Sequence, residues 1–272
     1  MVDGAARAAL IEAMAAACIA AGAAIMRVYE TDFAVETKAD ASPVTEADAA
    51  AEAIILAALA QAAPGVPIVA EEEMAAGRCP DTDGLFFLVD PLDGTKEFVE
   101  RRGDFTVNIA LIEAHRPTLG VVFVPAGRRI FVGDVVANQA WQAETVGDVI
   151  GARTMMRTRV APSGIVAVAS RSHGSAGTEA YLAQFEVAER ISRGSSLKLC
   201  LVAAGEADVY PRLAPTMEWD IAAGDAVLRA AGGCLFDADG NAMRYGKPEF
   251  RNEAFVASGG MPVSPARPYL TI

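Results

Sequence analysis

The stretch "LVDPLDGTKEF", Leu88 to Phe98, places two carboxylates and a hydroxyl within six residues at the end of an apolar run. Asp90 follows Leu85–Val89, and Pro91 and Leu92 separate it from Asp93, Gly94 and Thr95. Carboxylates held that close repel one another, so one is protonated or a cation lies between them. All-oxygen ligation suits Mg²⁺, which takes a few carboxylates and keeps its waters for a substrate phosphate. Gly94 and Thr95 then open the next segment with backbone N–H groups able to receive a phosphate oxygen. Metal-assisted phosphate chemistry competes here with a plainer reading, in which Asp-Pro and Asp-Gly are ordinary turn pairs.

Three more acids bear on that choice. Glu71 ends the apolar segment "VPIVAEEE", where its carboxylate could reach the same crevice. Glu72 and Glu73 read as solvated, because a strand end aims only alternate residues at one site. Asp220, in Trp219-Asp220, precedes a helix of small residues and could be a ligand or a helix cap. Asp48, in "SPVTEAD", stands on a helix behind a polar loop. In the second half, "GSSLK" offers Ser195, Ser196 and Lys198 at a helix start, a place for a second phosphate, although Ser195 could equally be a cap. Cys200 has no basic neighbour except Lys198, and neither His115 nor His173 has a recognisable partner, so no covalent phosphoenzyme is needed. His115, in the hairpin turn "AHRP", has no assigned role. Tyr210 and Phe98 could lie beside a base but are as readily core.

The elements that must position these groups follow from periodicity. Apolar residues recur at helical spacing over residues 5 to 30, and a second helix is predicted over 46 to 62, with Thr45 as cap and Asp48 at its third position. "VPIVAEEE" and "LFFLVD" read as strands, and "FTVNIALIEA", "TLGVVFVPA" and "RIFVGDVV" as an antiparallel meander. A polar segment near 143 to 163 reads as the join between two halves. Beyond it strands and helices alternate: "GIVAVAS", a helix near 175–184, "FEVAERI", a helix from about Ser195 to Ala204, "ADVYP", a helix from about Ile221 to Ala231, and "CLFDA". The expected fold class is α/β, or layered α+β, with an N-terminal meander half (1–155, the metal site) and a C-terminal α/β half (156–272, substrate binding) in one catalytic unit.

Composition narrows the classes. The 272-residue chain is 53% hydrophobic, enough for a large core, and its net charge of −12 argues against a nucleic-acid-coating surface. The Ala-rich start carries Arg7 and Glu12 and reads as a soluble helix rather than a membrane span. Asp3 and Glu12 also break any signal-peptide pattern. The cysteines, Cys18, Cys79, Cys200 and Cys234, form no CxxC pair, which fits a reducing cytoplasm; peripheral inner-membrane association and a homodimer are left open.

"DPLDGTKEF" together with "WDIAAGDAVLRAAGG" resembles the inositol monophosphatase superfamily of Mg²⁺-dependent, lithium-sensitive phosphatases, and the likeness runs from "KADASPVTEAD" through "FTVNIALI" to the WD helix. Within it, Lys96-Glu97-Phe98, "SRSH" at 170 to 173 and "GSSLK" look like the CysQ-type 3′(2′),5′-bisphosphate nucleotidases. The resemblance implies metal ligands at Glu71, Asp90, Asp93 and Asp220, with the Leu92 carbonyl, around two or three Mg²⁺ ions. It implies a Thr95–Asp48 pair that orients and deprotonates the attacking water. Gly94, Thr95, Ser195, Ser196, Lys198, Arg212 and His173 would contact the substrate. Ala70 departs from the small polar residue or glycine often found there, but supplies no side-chain ligand either way. The implied reaction converts adenosine 3′,5′-bisphosphate to AMP and phosphate, with 3′-phosphoadenylyl sulfate as a second substrate and a place in sulfur assimilation. The alternatives are an inositol- or sugar-phosphate phosphatase on the same fold and a catalytically silent ligand-binding protein.

Overall fold

The computed structural model describes residues 4–37, 43–170 and 175–270. Helix α1 (Gly4–Tyr29) buries Leu10, Met14, Cys18, Ala21 and Ile25, the helical stripe expected from the sequence. After a short pair of strands, β1 (Glu36–Thr37) and β2 (Pro43–Val44), comes α2 (Glu46–Ala62). The capping box forms as its sequence predicts: Thr45 Oγ1 accepts from Ala47 N at 3.2 Å, and Asp48 Oδ2 accepts from Thr45 N at 2.8 Å. By length and composition α1 could cross a membrane, but in this fold its apolar face packs on α2 and the first sheet. Each fully buried Met or Ile on that face contributes roughly 1.5–3 kcal/mol.

That sheet is built from β3 (Ile68–Ala70), β4 (Leu85–Asp93), β5 (Thr106–Glu113), β6 (Arg116–Val124), β7 (Arg129–Asp134) and β8 (Gln139–Val146). The expected antiparallel meander, β5 to β7, forms and extends to β4 on one side and β8 on the other, while β3 lies parallel to β4. Short helices α3 (Glu71–Ala75) and α4 (Thr95–Val99) follow β3 and β4. The first part of the segment expected to join the halves, 143–163, belongs to this sheet. Residues 143–146 finish β8, and β9 (Val149–Ile150) and β10 (Thr154–Met155) both pair back onto it. Three of the four side chains of β9 and β10 are exposed, so the segment lacks a clean alternation of apolar residues.

The second half contains β11 (Ile165–Ser170), α5 (Ala176–Leu182), β12 (Val187–Arg193), α6 (Leu197–Ala203), β13 (Val209–Arg212), β14 (Thr216–Met217), α7 (Glu218–Ala230), β15 (Cys234–Asp237), β16 (Arg251–Asn252) and β17 (Phe255–Ser258). Its sheet runs β12-β11-β13-β17-β15, parallel through β13 and antiparallel beyond, and β14 pairs with β16. The layers stack as helix pair, sheet, helix pair, sheet, helix. One core lies between α1/α2 and the first sheet, a second holds α6 and α7 between the sheets, and a third lies under α5. This is the layered α/β class predicted from the sequence.

Two glycines set the closeness of the central helix. A Cβ at Gly133 would lie 2.6 Å from Val227 Cα, and one at Gly120 would lie 2.4 Å from the Ala223 carbonyl oxygen. The backbone of α7 therefore rests directly on β6 and β7. At the far side Arg7 enters the sheet, donating to Asp134 at 2.8 Å, to Glu113 at 3.2 Å and to the Thr118 carbonyl at 2.9 Å.

Candidate active site

Residues three apart on a regular strand face opposite sides, so the spacing of Asp90 and Asp93 alone would separate them. Here Asp90 pairs with Asn108 and Asp93 with Thr106, three steps on β4 against two on β5. The extra residue is a bulge, and it turns both aspartates to the face of Thr106 and Asn108. That face also carries Ala110 and Ile112 and packs toward α7. Strand β4 thus continues through Asp93 rather than ending at Asp90.

A closed set of hydrogen bonds holds the bulge. Asp90 Oδ1 accepts from Leu92 N at 3.0 Å, and Asp93 Oδ2 accepts from Ser196 N at 2.5 Å. The buried Ser196 hydroxyl donates to Asn108 Oδ1 at 2.6 Å, and Asn108 Nδ2 donates to Thr106 Oγ1 at 3.2 Å. Ser196 has one proton, so Thr106 Oγ1 is the donor in its 2.9 Å contact with Ser196. Ser196 was expected to offer its hydroxyl to a phosphate. In the structure that hydroxyl is turned onto Asn108 and Thr106 of β5, and it is the Ser196 N–H that ties the second half to Asp93.

Glu71 and Asp220 arrive on helix starts. The three glutamates form the first turn of α3 rather than a strand end, so the expected alternation does not apply to them. Glu72 N and Glu73 N donate to the two oxygens of Glu52, at 2.8 and 3.0 Å, and Glu73 lies at the surface paired with Arg78 at 2.6 Å. Asp220 is the third residue of α7, which begins at Glu218, three residues earlier than predicted. Its Oδ2 accepts from Met217 N at 2.8 Å, so it is a capping-box partner rather than the N-cap. Glu218 causes the early start: wholly buried, it accepts from Gly246 N and Lys247 N at 2.7 and 3.0 Å.

The electrostatics bind these carboxylates into one group. Burial, followed by the charges of Glu71, Asp93 and Asp220, pushes Asp90 well above the usual carboxylate range. Burial and the charges of Asp93 and Glu71 do the same to Asp220, whose opposing influences are the Met217 N–H and Arg212. Burial raises Asp93 to about 6, with Lys198 and the Ser196 N–H pulling the other way. Among the described residues no three such side chains are closed around a single point as a finished ligand cage. They remain an all-oxygen set of like charges with too little positive charge among them, the condition a divalent cation relieves.

Over this floor opens a cavity of about 250 Å³, whose lining includes Asp93, Gly94, Thr95, Lys96, Glu97, Ser195, Ser196, Lys198, Tyr210, Arg212, Thr216 and Asp220. Gly94 adopts φ 92°, a left-handed turn that opens α4. Ser195 is also left-handed at φ 50°, and although Ser196 holds the N-cap position of the next helix, it is Ser195 Oγ that accepts from Leu197 N, at 3.3 Å. Helix α6 begins only at Leu197, so Ser195 and Ser196 form the turn before it. Buried Lys198 donates to the Ser195 carbonyl at 2.5 Å and stands 5.3 Å from the Tyr210 ring centroid. Burial lowers its ammonium to about 8, with Asp93 acting to raise it. Glu97 was read only as part of a motif, yet it is buried in the wall, where a Cβ on Gly194 would stand 2.4 Å from its Cγ.

The Thr95–Asp48 pair is not made. Thr95 Oγ1 donates to the Leu92 carbonyl at 3.3 Å, and Asp48 accepts from the Thr45 hydroxyl at 2.9 Å as well as from Thr45 N. The capping box that the sequence announces is what engages Asp48. Burial raises Asp48 to about 7, with smaller contributions from Glu72 and Glu71, so it faces the same acidic cluster. Arg212 reaches the cavity and donates to the Ala214 carbonyl at 3.3 Å. His173 lies outside the described residues. His115 is a turn residue in contact with the Tyr245 carbonyl at 2.9 Å. Tyr210 lines the cavity, whereas Phe98 is core, packed on Phe105 and Tyr29.

Residues 7–265 match the inositol monophosphatase family model. The chain belongs to the inositol monophosphatase family. Among its relatives are the 3′(2′),5′-bisphosphate nucleotidases CysQ of Shigella flexneri and of Escherichia coli K12, each 43% identical over 241 residues, 88% of this chain and 95% of the relative. The structure is similar to that of CysQ from Bacteroides thetaiotaomicron, with a TM-score of 0.77 and 36% identity over 92% of this chain and 98% of that one. An inositol monophosphatase from Anabaena, at 22% identity and a TM-score of 0.73 over 96% of this chain and 95% of that one, shares the fold. The family expected from "DPLDGTKEF" and the WD helix is the one found, and its CysQ members stand among the relatives.

Proposed function

We infer that the chain is a divalent-metal-dependent 3′(2′),5′-bisphosphate nucleotidase that converts adenosine 3′,5′-bisphosphate to AMP and phosphate. The observation that carries this is the under-neutralised carboxylate floor of Asp90, Asp93, Asp220 and Glu71 beneath a cavity whose wall holds Lys198 and Arg212. An acidic floor alone would repel a phosphate, and cations alone would not activate water. Together they suit a phosphate ester held over metal, and the CysQ relatives support the nucleotide as its bearer.

Two or three Mg²⁺ ions held by Glu71, Asp90, Asp93, Asp220 and the Leu92 carbonyl would neutralise phosphate charge and acidify water. The chain's own residues do the rest. The N–H groups opening α4 after Gly94 receive a phosphate oxygen. The Thr95 hydroxyl orients the attacking water, and Asp48, raised to about 7, takes a proton near neutrality. For Thr95 and Asp48 to act together, each exchanges its present partner. A water oxygen bonds to phosphorus as the bond from phosphorus to the ribose 3′ oxygen breaks, and the leaving oxygen takes up a proton. Lys198 and Arg212 hold the second phosphate by charge-assisted hydrogen bonds.

An inositol- or sugar-phosphate would share the floor and differ at Lys198 and its turn. Phosphate release from adenosine 3′,5′-bisphosphate and from inositol 1-phosphate, measured side by side with Mg²⁺, separates the two. The nucleotide should be strongly preferred, and a preference for the inositol ester would overturn the substrate assignment. Unchanged phosphate release in Asp90→Asn would overturn the metal floor.

A further inference from the structure

Helix α3 is five residues long, and its N-cap, Ala70, offers no side chain to the first N–H groups. The cap comes from another helix. Glu52 of α2 accepts from Glu72 N with one carboxylate oxygen, at 2.8 Å, and from Glu73 N with the other, at 3.0 Å. Glu52 is 4% exposed and stands one helical turn beyond Asp48, so α2 presents two buried carboxylates in succession toward the glutamate turn.

A carboxylate is electrostatically ill-placed there, since Glu72 and Glu73 carry like charge beside it. What it alone provides is a pair of acceptor oxygens in one plane, able to grip two successive backbone N–H groups. An amide has one acceptor and would turn an NH₂ toward the second donor. The grip fixes the first turn of α3, and the residue immediately before the gripped pair is Glu71. We propose that Glu52 is a positioning residue for Glu71, setting the direction of that carboxylate and hence the affinity of the acidic floor for a divalent cation. This rests on the metal-centre reading above. The cation would meet Glu71, and Glu52 would act through the backbone of α3.

The test uses Mn²⁺ as probe, titrated by calorimetry into the full chain and into its Glu52→Gln and Glu52→Ala variants, with Glu71→Gln as the reference for loss of the ligand itself. The Mn²⁺ dissociation constant should rise about tenfold in Glu52→Gln and toward about 100-fold in Glu52→Ala, the range for partners that orient a ligand. The KM for adenosine 3′,5′-bisphosphate at saturating metal should stay constant, while the thermal midpoint of Glu52→Gln falls by a few degrees, the cost of one buried N–H left without an acceptor. If Glu52→Ala fails to fold, Glu52→Gln carries the test. Unchanged Mn²⁺ affinity in a folded Glu52→Gln overturns the positioning role alone. No Mn²⁺ binding by the unsubstituted chain overturns the metal centre and this role with it.

Discussion

Stripping metal from the acidic floor should make the stability of the protein depend on pH in a direction set by its raised carboxyls. Asp93 titrates at about 6 against an ordinary 3.8. That gap, about 2 on the pH scale at about 1.4 kcal/mol each, amounts to about 3 kcal/mol. The side of Asp93 open to the cavity reduces this to about 1–2 kcal/mol. The native chain holds the extra proton between the two values, so stability present below pH 3.8 is lost as pH rises through about 6. Asp48, at about 7, extends the window upward, and Asp90 and Asp220 act in the same sense. Bound cation supplies the missing countercharge, and protons compete with it at low pH. Urea unfolding followed at several pH values, with Mg²⁺ and with EDTA, gives the difference between the two curves, in which groups remote from the site cancel. That difference should be near zero at about pH 4 and reach at least about 1–2 kcal/mol by neutrality. A difference independent of pH, or none at any pH, would refute the account of the floor.

Gly133→Ala should destabilise by about 1–3 kcal/mol, because its Cβ meets the backbone of α7 rather than a side chain that could swing away. The fall in melting temperature should be several degrees. An unchanged melt would mean that α7 is free to lift from the sheet. Thr95→Ala should lower kcat by about 10²–10⁴-fold with little change in KM, and Thr95→Ser should retain most activity, both read from steady-state phosphate release. Lys198, at about 8, is charged below that pH and neutral above it, so the KM for the nucleotide should rise as pH passes about 8. Lys198→Met should have a KM about tenfold higher at neutral pH and no such rise.

The local part of this molecule was legible and the long-range part was not. Thr45 and Asp48 announce the start of α2 because a capping box lies within four residues, and the meander shows because its strands are apolar runs separated by short turns. The bulge between Asp90 and Asp93 is invisible in the same way that it is decisive. It exists only in the register between β4 and β5, and a single strand carries no record of its partner's count. The glutamate turn looked like a strand end because three residues of β3 precede it without a capping side chain. Its cap, Glu52, lies twenty positions from Glu72. One signal could have found Glu52: it falls four residues after Asp48, on the same helical face. Asp220 was placed just before its helix because the buried Glu218, an unusual residue to sink into a helix start, is anchored by a loop around residue 246. The pairing proposed for Thr95 and Asp48 came from resemblance, and the partner each has here lies three residues away in sequence.

The strand order of the second sheet bears on how the chain is made. Strand β17 (Phe255–Ser258) lies between β13 and β15, yet it is the last of the five to leave the ribosome. Until it emerges, β13 and β15 each present a bare edge, and the sheet behind Lys198 and Arg212 has a gap at its middle. Bare edges of that kind recruit other strands, so nascent chains that stall before Phe255 are the ones that should aggregate or summon chaperones. The first sheet, made of neighbours in sequence, can close long before. The acidic floor is thus begun early by β4, while Asp220, Lys198 and Arg212 belong to the half that is made later.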